Sequence, residues 1–144
     1  MKNLLKIILG CLGLLVIGIG LFVGILFVVF RPDLMCGNHF IESKLSPNKK
    51  LECLVFSVDC GAASDYSTHI SIVKSNYILV KNEKGNVFVA DSDHGNAEMN
   101  GKIIKLQIEW IDDKNIVIQY HKNARVFKDK KLEKGVNIVY KEIE

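Results

Sequence analysis

The sequence predicts a mainly β protein, with one N-terminal transmembrane helix followed by a small antiparallel β-sheet or β-sandwich domain. Residues 7–30 form an unbroken run of apolar residues and glycine, the composition of a membrane-spanning helix. After Pro32 the apolar residues instead recur at every second position, as they do in half-buried strands. No stretch of ten residues beyond Pro32 has a convincing helical period. We therefore expect an anchor over residues 1–32 and a β-rich domain over residues 33–144.

The apolar run over residues 7–30 is long enough to cross a bilayer. At about 1.5 Å of rise per residue it reaches roughly 36 Å, whereas a hydrocarbon core is about 30 Å thick. Lipid offers no partner for main-chain N–H and C=O groups, so the segment must be helical. A cleaved signal peptide would have a shorter apolar region, of about 7–15 residues, and a small-residue cleavage motif, which does not follow Phe30. We expect an uncleaved signal anchor embedded in the lipid bilayer.

Positive charge before the run predicts its orientation. Lys2, Lys6 and the α-amino group precede it with no acid among them, whereas the cations that follow it are interspersed with acids. Flanking lysines and arginines favour the cytoplasmic side of a membrane. The prediction is a single-pass protein of the inner cell membrane, with a cytoplasmic N-terminus and residues 33–144 outside the cytoplasm.

Gly20 and Gly24 form a small-residue motif within the predicted helix. Glycines four residues apart lie on one helix face and let two helices approach closely. This spacing raises the hypothesis of a weak homodimer through the helix. In a segment with this many glycines, the same spacing also arises by chance.

Alternating apolar residues predict the strands of the domain. Residues 51–58 are apolar on both faces, which is typical of a central strand. The turns expected between strands include residues 46–49 and 112–115. Gly85 is expected to supply a positive φ in a hairpin between residues 77–81 and 87–90. The other predicted strands contain Ile70 and Ile72, Ile104 to Trp110, Ile116 to Tyr120, and Val136 to Tyr140.

Three of the four cysteines lie in the domain, so an oxidising compartment would allow one disulfide and leave one thiol. Cys53 falls within a strand pattern and is expected in the core. Cys36 and Cys60 each precede a glycine in a turn-like context, so we favour a Cys36–Cys60 disulfide. Closing a loop of about 25 residues contributes roughly 3–4 kcal/mol in the chain-entropy description.

Segments around these cysteines resemble an uncharacterised family of small bacterial membrane-anchored proteins, a domain of unknown function. The family pattern runs approximately D-L-C-G-N, S-P-D-G-K and D-C-G-A-T-T, and the matching segments are residues 33–38, 46–49 and 59–64. The likeness extends over nearly the whole domain. It departs at Met35, inserted before Cys36, at Ala63-Ser64 in place of two threonines, and at the additional Cys53. The resemblance implies a similar fold and location, and it implies no biochemical activity.

Residues 91–98 form the densest polar cluster of the sequence. Asp91, Asp93 and Glu98 could offer oxygen ligands to Ca²⁺, with Gly95 allowing the backbone to turn. Their spacing does not match an EF-hand loop. The alternative is a polar loop in which Asp and Asn side chains bond to their own backbone.

Cys60 and His69 are the residue types of a thiol nucleophile and its base. No third residue stands out to orient them, and a disulfide would consume the thiol. The sequence contains no nucleophile-elbow, phosphate-loop or dinucleotide-binding motif. We therefore predict no catalytic residues and no cofactor, and we do not expect an enzyme.

Arg125, Phe127 and Lys128 place an aromatic residue among cations near the end of the domain. This pattern is typical of a contact surface and also of an edge strand. Lys122, Lys130, Lys131 and Lys134 extend the basic surplus against only Asp129 and Glu133. A surplus of this kind is either a solvated face or a surface for an acidic partner or a membrane.

The charge balance of the domain narrows its possible partners. Residues 31–144 hold 17 Lys and Arg against 16 Asp and Glu, which excludes the strong basic excess of a nucleic-acid binder. We expect a non-enzymatic domain of the cell envelope that binds another protein or the membrane surface. The alternative is an accessory or inhibitor protein, similar to an immunity protein, that blocks an envelope enzyme or toxin.

Overall fold

A computed structural model describes residues 2–29, 36–61 and 64–144 of the chain. The chain divides into two compact units, Met1–Leu34 and Met35–Glu144. The predicted fold class is confirmed, with one N-terminal apolar helix and a mainly β second unit.

The first unit is a single helix, α1 (Lys2–Val29). The 18 residues Leu12–Val29 have a mean hydropathy of 3.0, and none of that window is buried by other parts of the chain. By length and composition, α1 is able to cross a membrane. Gly20 and Gly24 lie on the open surface of this helix, where an added Cβ would meet nothing within 4 Å. The predicted helix dimer therefore stays a prediction.

The second unit contains eleven strands in its described part, several of them only two residues long. In chain order they are β1 (Gly37–Leu45), β2 (Leu51–Asp59), β3 (Ser67–Lys74), β4 (Phe88–Asp91), β5 (Met99–Asn100), β6 (Ile103–Ile104), β7 (Leu106–Asp112), β8 (Asn115–His121), β9 (Arg125–Asp129), β10 (Leu132–Glu133) and β11 (Val136–Ile143).

These strands form two main sheets and one two-stranded ribbon. The five-stranded sheet has the order β1-β2-β3-β4-β9, the four-stranded sheet the order β10-β11-β8-β7, and β5 pairs with β6. Neighbouring strands are antiparallel as predicted, except that β11 runs parallel to β8. A pattern of alternating residues predicts a strand but not the direction of its neighbour, so this pair was not foreseen.

The main core lies between the two sheets. It is formed by alternate side chains of the central strands, which are apolar and fully or almost fully buried. Members from the five-stranded sheet include Val55, Ile70, Ile72 and Phe88, and members from the four-stranded sheet include Ile108, Ile116, Ile118 and Ile138. Burial of this kind stabilises a sandwich at about 25 cal/mol per Å² of apolar area removed from water.

The opposite face of the five-stranded sheet is covered by residues 75–86, which we call the covering segment. Leu79 of this segment packs on a second, smaller cluster formed by Leu54, Phe56, Val58 and Val73. At the start of the segment, the Ser75 N–H donates to the Lys50 carbonyl at 3.1 Å, and further bonds hold its middle to β1. The Asn38 side-chain Nδ2 donates to the carbonyl oxygens of Val80 and Glu83, at 3.1 and 3.0 Å.

Asn86 lies two residues before β4 begins, and its side chain extends the hydrogen bonding of β3 beyond the β3–β4 pair. Its side-chain Oδ1 accepts the Ile72 N–H at 2.9 Å, and its Nδ2 donates to the Ile72 carbonyl at 3.0 Å. The Asn86 main-chain N–H donates to the Ser71 hydroxyl at 3.0 Å. The side chain thus satisfies the main-chain groups that a neighbouring strand would otherwise bond.

The predicted hairpin around Gly85 is wrong. Its second half is present as β4, but residues 77–81 form no strand. Gly85 does not adopt a positive φ, and Asn82 has a φ of 62° instead. Glycine is needed at position 85 for space, because an added Cβ would lie 2.5 Å from the Phe88 carbonyl oxygen and 2.9 Å from the main chain of Ile70. The apolar run Tyr77–Val80 suggested a strand, but here it serves to place Leu79 on the sheet, while Ile78 and Val80 are exposed.

Candidate functional site

The β-domain has a cleft of about 520 Å³ where edge strand β1 of one sheet faces edge strand β7 of the other. This volume is within the range of protein ligand pockets, about 300–1,000 Å³. Its apolar lining consists of Ile41, Ile103, Leu106 and Ile108. Its polar lining consists of Glu42, Lys44, Asn100, Gln107, Glu109 and Gln119.

Two hydrogen bonds between β1 and β7 close one end of the cleft. The Trp110 indole Nε1 donates to the Lys44 carbonyl at 2.9 Å, and the Lys44 ammonium donates to the Ile108 carbonyl at 2.9 Å. A β-bulge between Phe40 and Glu42 interrupts β1 at Ile41, whose side chain lines the cleft. Bulges of this kind turn an edge strand locally away from regular pairing.

The phase of the β7–β8 ladder shows which main-chain groups of β7 face the cleft. The His121 N–H donates to the Lys105 carbonyl at 3.1 Å, and in the next pair Leu106 lies opposite Tyr120. Since hydrogen-bonded and non-bonded pairs alternate in an antiparallel ladder, Leu106 and Ile108 direct their main-chain groups away from β8. The bond from Lys44 to the Ile108 carbonyl confirms this direction.

Charge in the cleft is unbalanced. Glu42 and Glu109 both line it, and neither belongs to any ion pair among the described residues. Lys44 is the cation of the lining, and its ammonium is held at the Ile108 carbonyl. The cleft therefore combines an apolar base, open main-chain groups and two carboxylates that have no cationic partner.

The predicted disulfide is present. The sulfur atoms of Cys36 and Cys60 lie 2.01 Å apart, and the bond joins the segment before β1 to the end of β2. Cys53 is completely buried in the main core. Burial, with a further contribution from the charge of Glu42, raises the pKa of the Cys53 thiol to about 12. Neither Cys60 nor Cys53 is thus a thiolate nucleophile in this structure.

His69 lies under the covering segment, and its ring nitrogens bond Gly85 and Ser67 rather than Cys60. Its Nδ1 accepts the Gly85 N–H at 2.9 Å, so its proton is on Nε2, which lies 2.9 Å from the Ser67 hydroxyl oxygen. Burial, reinforced by the charges of Lys128 and Lys84, lowers the pKa of His69 to about 4. A ring with its acceptor nitrogen already bonded to the main chain is not free to deprotonate Ser67.

The structure does not bring the predicted metal ligands Asp91, Asp93 and Glu98 together as a group. Within residues 2–29, 36–61 and 64–144, no three metal-binding side chains are grouped so as to hold an ion. The Arg125 Nε donates to Asp91 at 3.1 Å, and the Lys105 ammonium lies 2.7 Å from Glu98. The carboxylates of Asp91 and Glu98 are thus both paired with cations of the same chain.

The alternative interpretation of residues 91–98 is confirmed. The Asp91 carboxylate accepts the Asp93 N–H at 2.9 Å, as in an Asx turn, and Gly95 has a φ of 89°. Burial alone would raise the pKa of Asp91, but the hydrogen bonds from Arg125 and from the Asp93 N–H lower it overall. The cluster is a self-bonded polar loop.

Arg125, Phe127 and Lys128 all lie on β9, at the edge of the five-stranded sheet. The Phe127 side chain is 60% exposed, with the Arg125 guanidinium 5.2 Å from its ring centroid. The Lys128 ammonium donates to the Gly85 carbonyl at 2.8 Å, beneath the covering segment. Of the three predicted contact residues, Arg125 and Lys128 therefore bond other groups of the domain. The Phe127 ring is largely exposed to solvent.

The basic surplus around β9 is compensated in the structure. Apart from Lys128, its cations are all in ion pairs, namely Lys122–Glu144, Arg125–Asp91, Lys130–Glu133, Lys131–Asp129 and Lys134–Glu133. Charges paired in this way attract an anionic surface less strongly than free cations. This region is better described as a solvated face.

The sequence did not indicate the cleft. Glu42, Gln107 and Glu109 are ordinary charged or polar residues, and they line one cavity only because two strands from different sheets meet. The one local signal was the alternation of Leu106 and Ile108 with polar residues, which marks a strand but not an open edge.

Comparison of the chain with protein-family models, curated proteins and solved structures finds no match.

Proposed function

We propose that this chain is a membrane-anchored binding protein whose β-domain binds another polypeptide through the cleft between β1 and β7. The observation that supports this function is the combination of an apolar base with the edge of β7 at Leu106 and Ile108, where no strand pairs in the described part of the chain and the Lys44 side chain bonds the Ile108 carbonyl. Strand edges left open in this way are recognition sites for other polypeptides.

The proposed location is the outer side of the inner cell membrane. The Cys36–Cys60 disulfide supports it, because disulfides persist in oxidising compartments. The charges of Lys2 and Lys6 support a cytoplasmic N-terminus. Helix α1 supplies the anchor, so the domain acts on partners that reach the membrane.

Binding is favoured over catalysis by the state of the groups that chemistry would require. Cys60 is oxidised, the Cys53 thiol is buried, and the acceptor nitrogen of His69 is bonded to the main chain. A protein partner is likewise favoured over the membrane surface, because the cations around β9 are paired within the domain.

Site-specific crosslinking in native membranes tests this function. A photoreactive amino acid replaces Gln107, which lines the cleft and is exposed, or Glu142, an exposed control position on β11. We expect a covalent adduct with one defined protein from position 107 and none from position 142. Equal labelling at both positions, or no adduct at either, would contradict binding at the cleft.

Thiol labelling tests the proposed orientation. A single exposed cysteine in place of Glu142 should react in intact cells or spheroplasts with a reagent that does not cross the membrane. The same cysteine in place of Asn3, which leaves the charges of Lys2 and Lys6 intact, should react only after the membrane is opened. The reverse pattern would show that the domain is in the cytoplasm.

A further inference from the structure

The cleft wall indicates what kind of polypeptide it fits. Leu106 and Ile108 direct main-chain N–H and C=O groups into the cleft, and these groups recur two residues apart, as on any strand edge. An extended segment is the ligand shape that bonds such groups in register. A folded helix or a compact small molecule would leave them without partners.

The Lys44 ammonium bonds a main-chain carbonyl of β7 that an added strand would otherwise bond. Its ammonium donates to the Ile108 carbonyl at 2.9 Å, where an added strand would offer a main-chain N–H. The lysine side chain is long and flexible, so it can withdraw when a strand binds. After the Lys44 ammonium leaves the Ile108 carbonyl, its charge would lie close to the cleft rather than buried.

Charge complementarity selects the side chains of the segment. Two carboxylates, Glu42 and Glu109, line the cleft without an ion-pair partner in the described part of the chain. The lining supplies one cation against them, Lys44. An incoming lysine or arginine would find an acceptor on either wall, whereas an acidic segment would add a third carboxylate.

Resting on the proposed function, we propose that the occupant of the cleft is an extended cationic segment of a partner protein, which adds as a strand to the edge of β7. Its main chain bonds Leu106 and Ile108, its apolar side chains cover Ile103 and Leu106, and its basic side chains meet Glu42 and Glu109.

Three synthetic peptides test this inference with the full-length protein in nanodiscs of zwitterionic lipid. The first is a fluorescent octapeptide of alternating valine and lysine, the second alternates valine and glutamate, and the third is the valine–lysine peptide with N-methylated main-chain nitrogens at alternate positions. Fluorescence anisotropy measures binding, with empty nanodiscs as the baseline. We expect the first peptide to bind roughly tenfold more tightly than either of the others.

Matched variants assign the selectivity to the cleft. The double substitution Glu42→Gln and Glu109→Gln should reduce the preference for lysine over glutamate to about threefold or less. The control Glu142→Gln removes one exposed carboxylate from β11 and should leave the preference unchanged. Circular dichroism of each variant establishes that it is folded before binding is compared.

The outcomes separate this inference from the proposed function. If position 107 forms its adduct but the valine–lysine peptide does not bind, or binds no better than the other two, the cationic strand is wrong and the binding function remains. If the protein instead self-associates through the cleft, shown by an adduct of two copies at position 107, the occupant is a second copy and the inference is also wrong.

Discussion

The two faces of the five-stranded sheet are covered in different ways. One face packs on the four-stranded sheet through apolar side chains such as Ile70 and Ile72. The other face is covered by a segment without regular secondary structure. The Asn38 side chain donates to this segment, the Gly85 N–H of the segment donates to His69, and its Asn86 side chain bonds β3. Packing on the first face depends on how well apolar side chains fill the space between the sheets. Packing on the second face depends on hydrogen bonds between the segment and the sheet.

This difference shows how a small domain can bury both faces of a sheet with few residues. Sheet-on-sheet packing needs strands long enough to align, whereas a single covering segment needs its main-chain groups satisfied one by one. The second solution uses buried polar groups, which are costly if any partner is removed. The two faces should therefore respond differently to substitution and to pH.

The largest expected effect is at the apolar face. Ile70→Ala removes a completely buried side chain from the main core and leaves a cavity, which should lower the free energy of unfolding by about 2–5 kcal/mol. Urea unfolding of the full chain in detergent, followed by Trp110 fluorescence, measures the change. The control Ile78→Ala alters a side chain that is 83% exposed and should shift stability by no more than about 0.5 kcal/mol. Equal effects of the two substitutions would contradict the assigned core.

A smaller effect is expected where the covering segment crosses the sheet. Gly85→Ala forces a Cβ to within 2.5 Å of the Phe88 carbonyl, and main-chain atoms cannot move aside as a side chain can. We expect a loss of about 1–3 kcal/mol in the same unfolding experiment. Gly37→Ala is the matched control, since its Cβ would meet nothing within 4 Å. Similar stabilities for the two variants would show that the segment does not approach the sheet so closely.

The third effect concerns pH at the polar face. Because burial holds the pKa of His69 near 4, below its unfolded value of about 6.5, the unfolded chain binds more protons between these values. His69 thus contributes stability above about pH 6.5 that is lost as the pH falls towards 4, with roughly 2 kcal/mol lost at pH 5. His69→Gln should flatten this part of the stability–pH curve. His39→Gln is the matched control, because it makes the same exchange at an exposed position.

Much of the main core followed from the sequence alone. The alternation through Ile116–Tyr120 and Val136–Tyr140 predicted strands that the structure contains, and residues 112–115 form the predicted turn between β7 and β8. The predicted strand Ile104–Trp110 is present from Leu106, whereas Ile104 belongs to the separate strand β6. The Cys36–Cys60 pair was also predicted, because Cys53 belonged to an apolar pattern and the other two did not. These features depend on local periodicity, which a sequence displays directly.

The features that escaped prediction depend on neighbours distant in the chain. Strand β1 was missed because it is an exposed edge strand, so no apolar alternation marks it. The parallel pairing of β11 with β8 and the cleft beside β7 arise from the order of strands in the sheets. At residues 77–81 a short apolar run was misleading, because it places Leu79 on the sheet without strand pairing.

Cys53 has a consequence for the order of events in oxidative folding. Three thiols of the nascent domain allow three pairings, of which one, Cys36–Cys60, is native. Once β2 is packed, Cys53 is withdrawn from exchange, since a buried thiol that stays protonated does not attack a disulfide. Collapse of the sandwich before oxidation therefore favours the native bond, whereas oxidation before collapse leaves Cys53 available for the two non-native pairings.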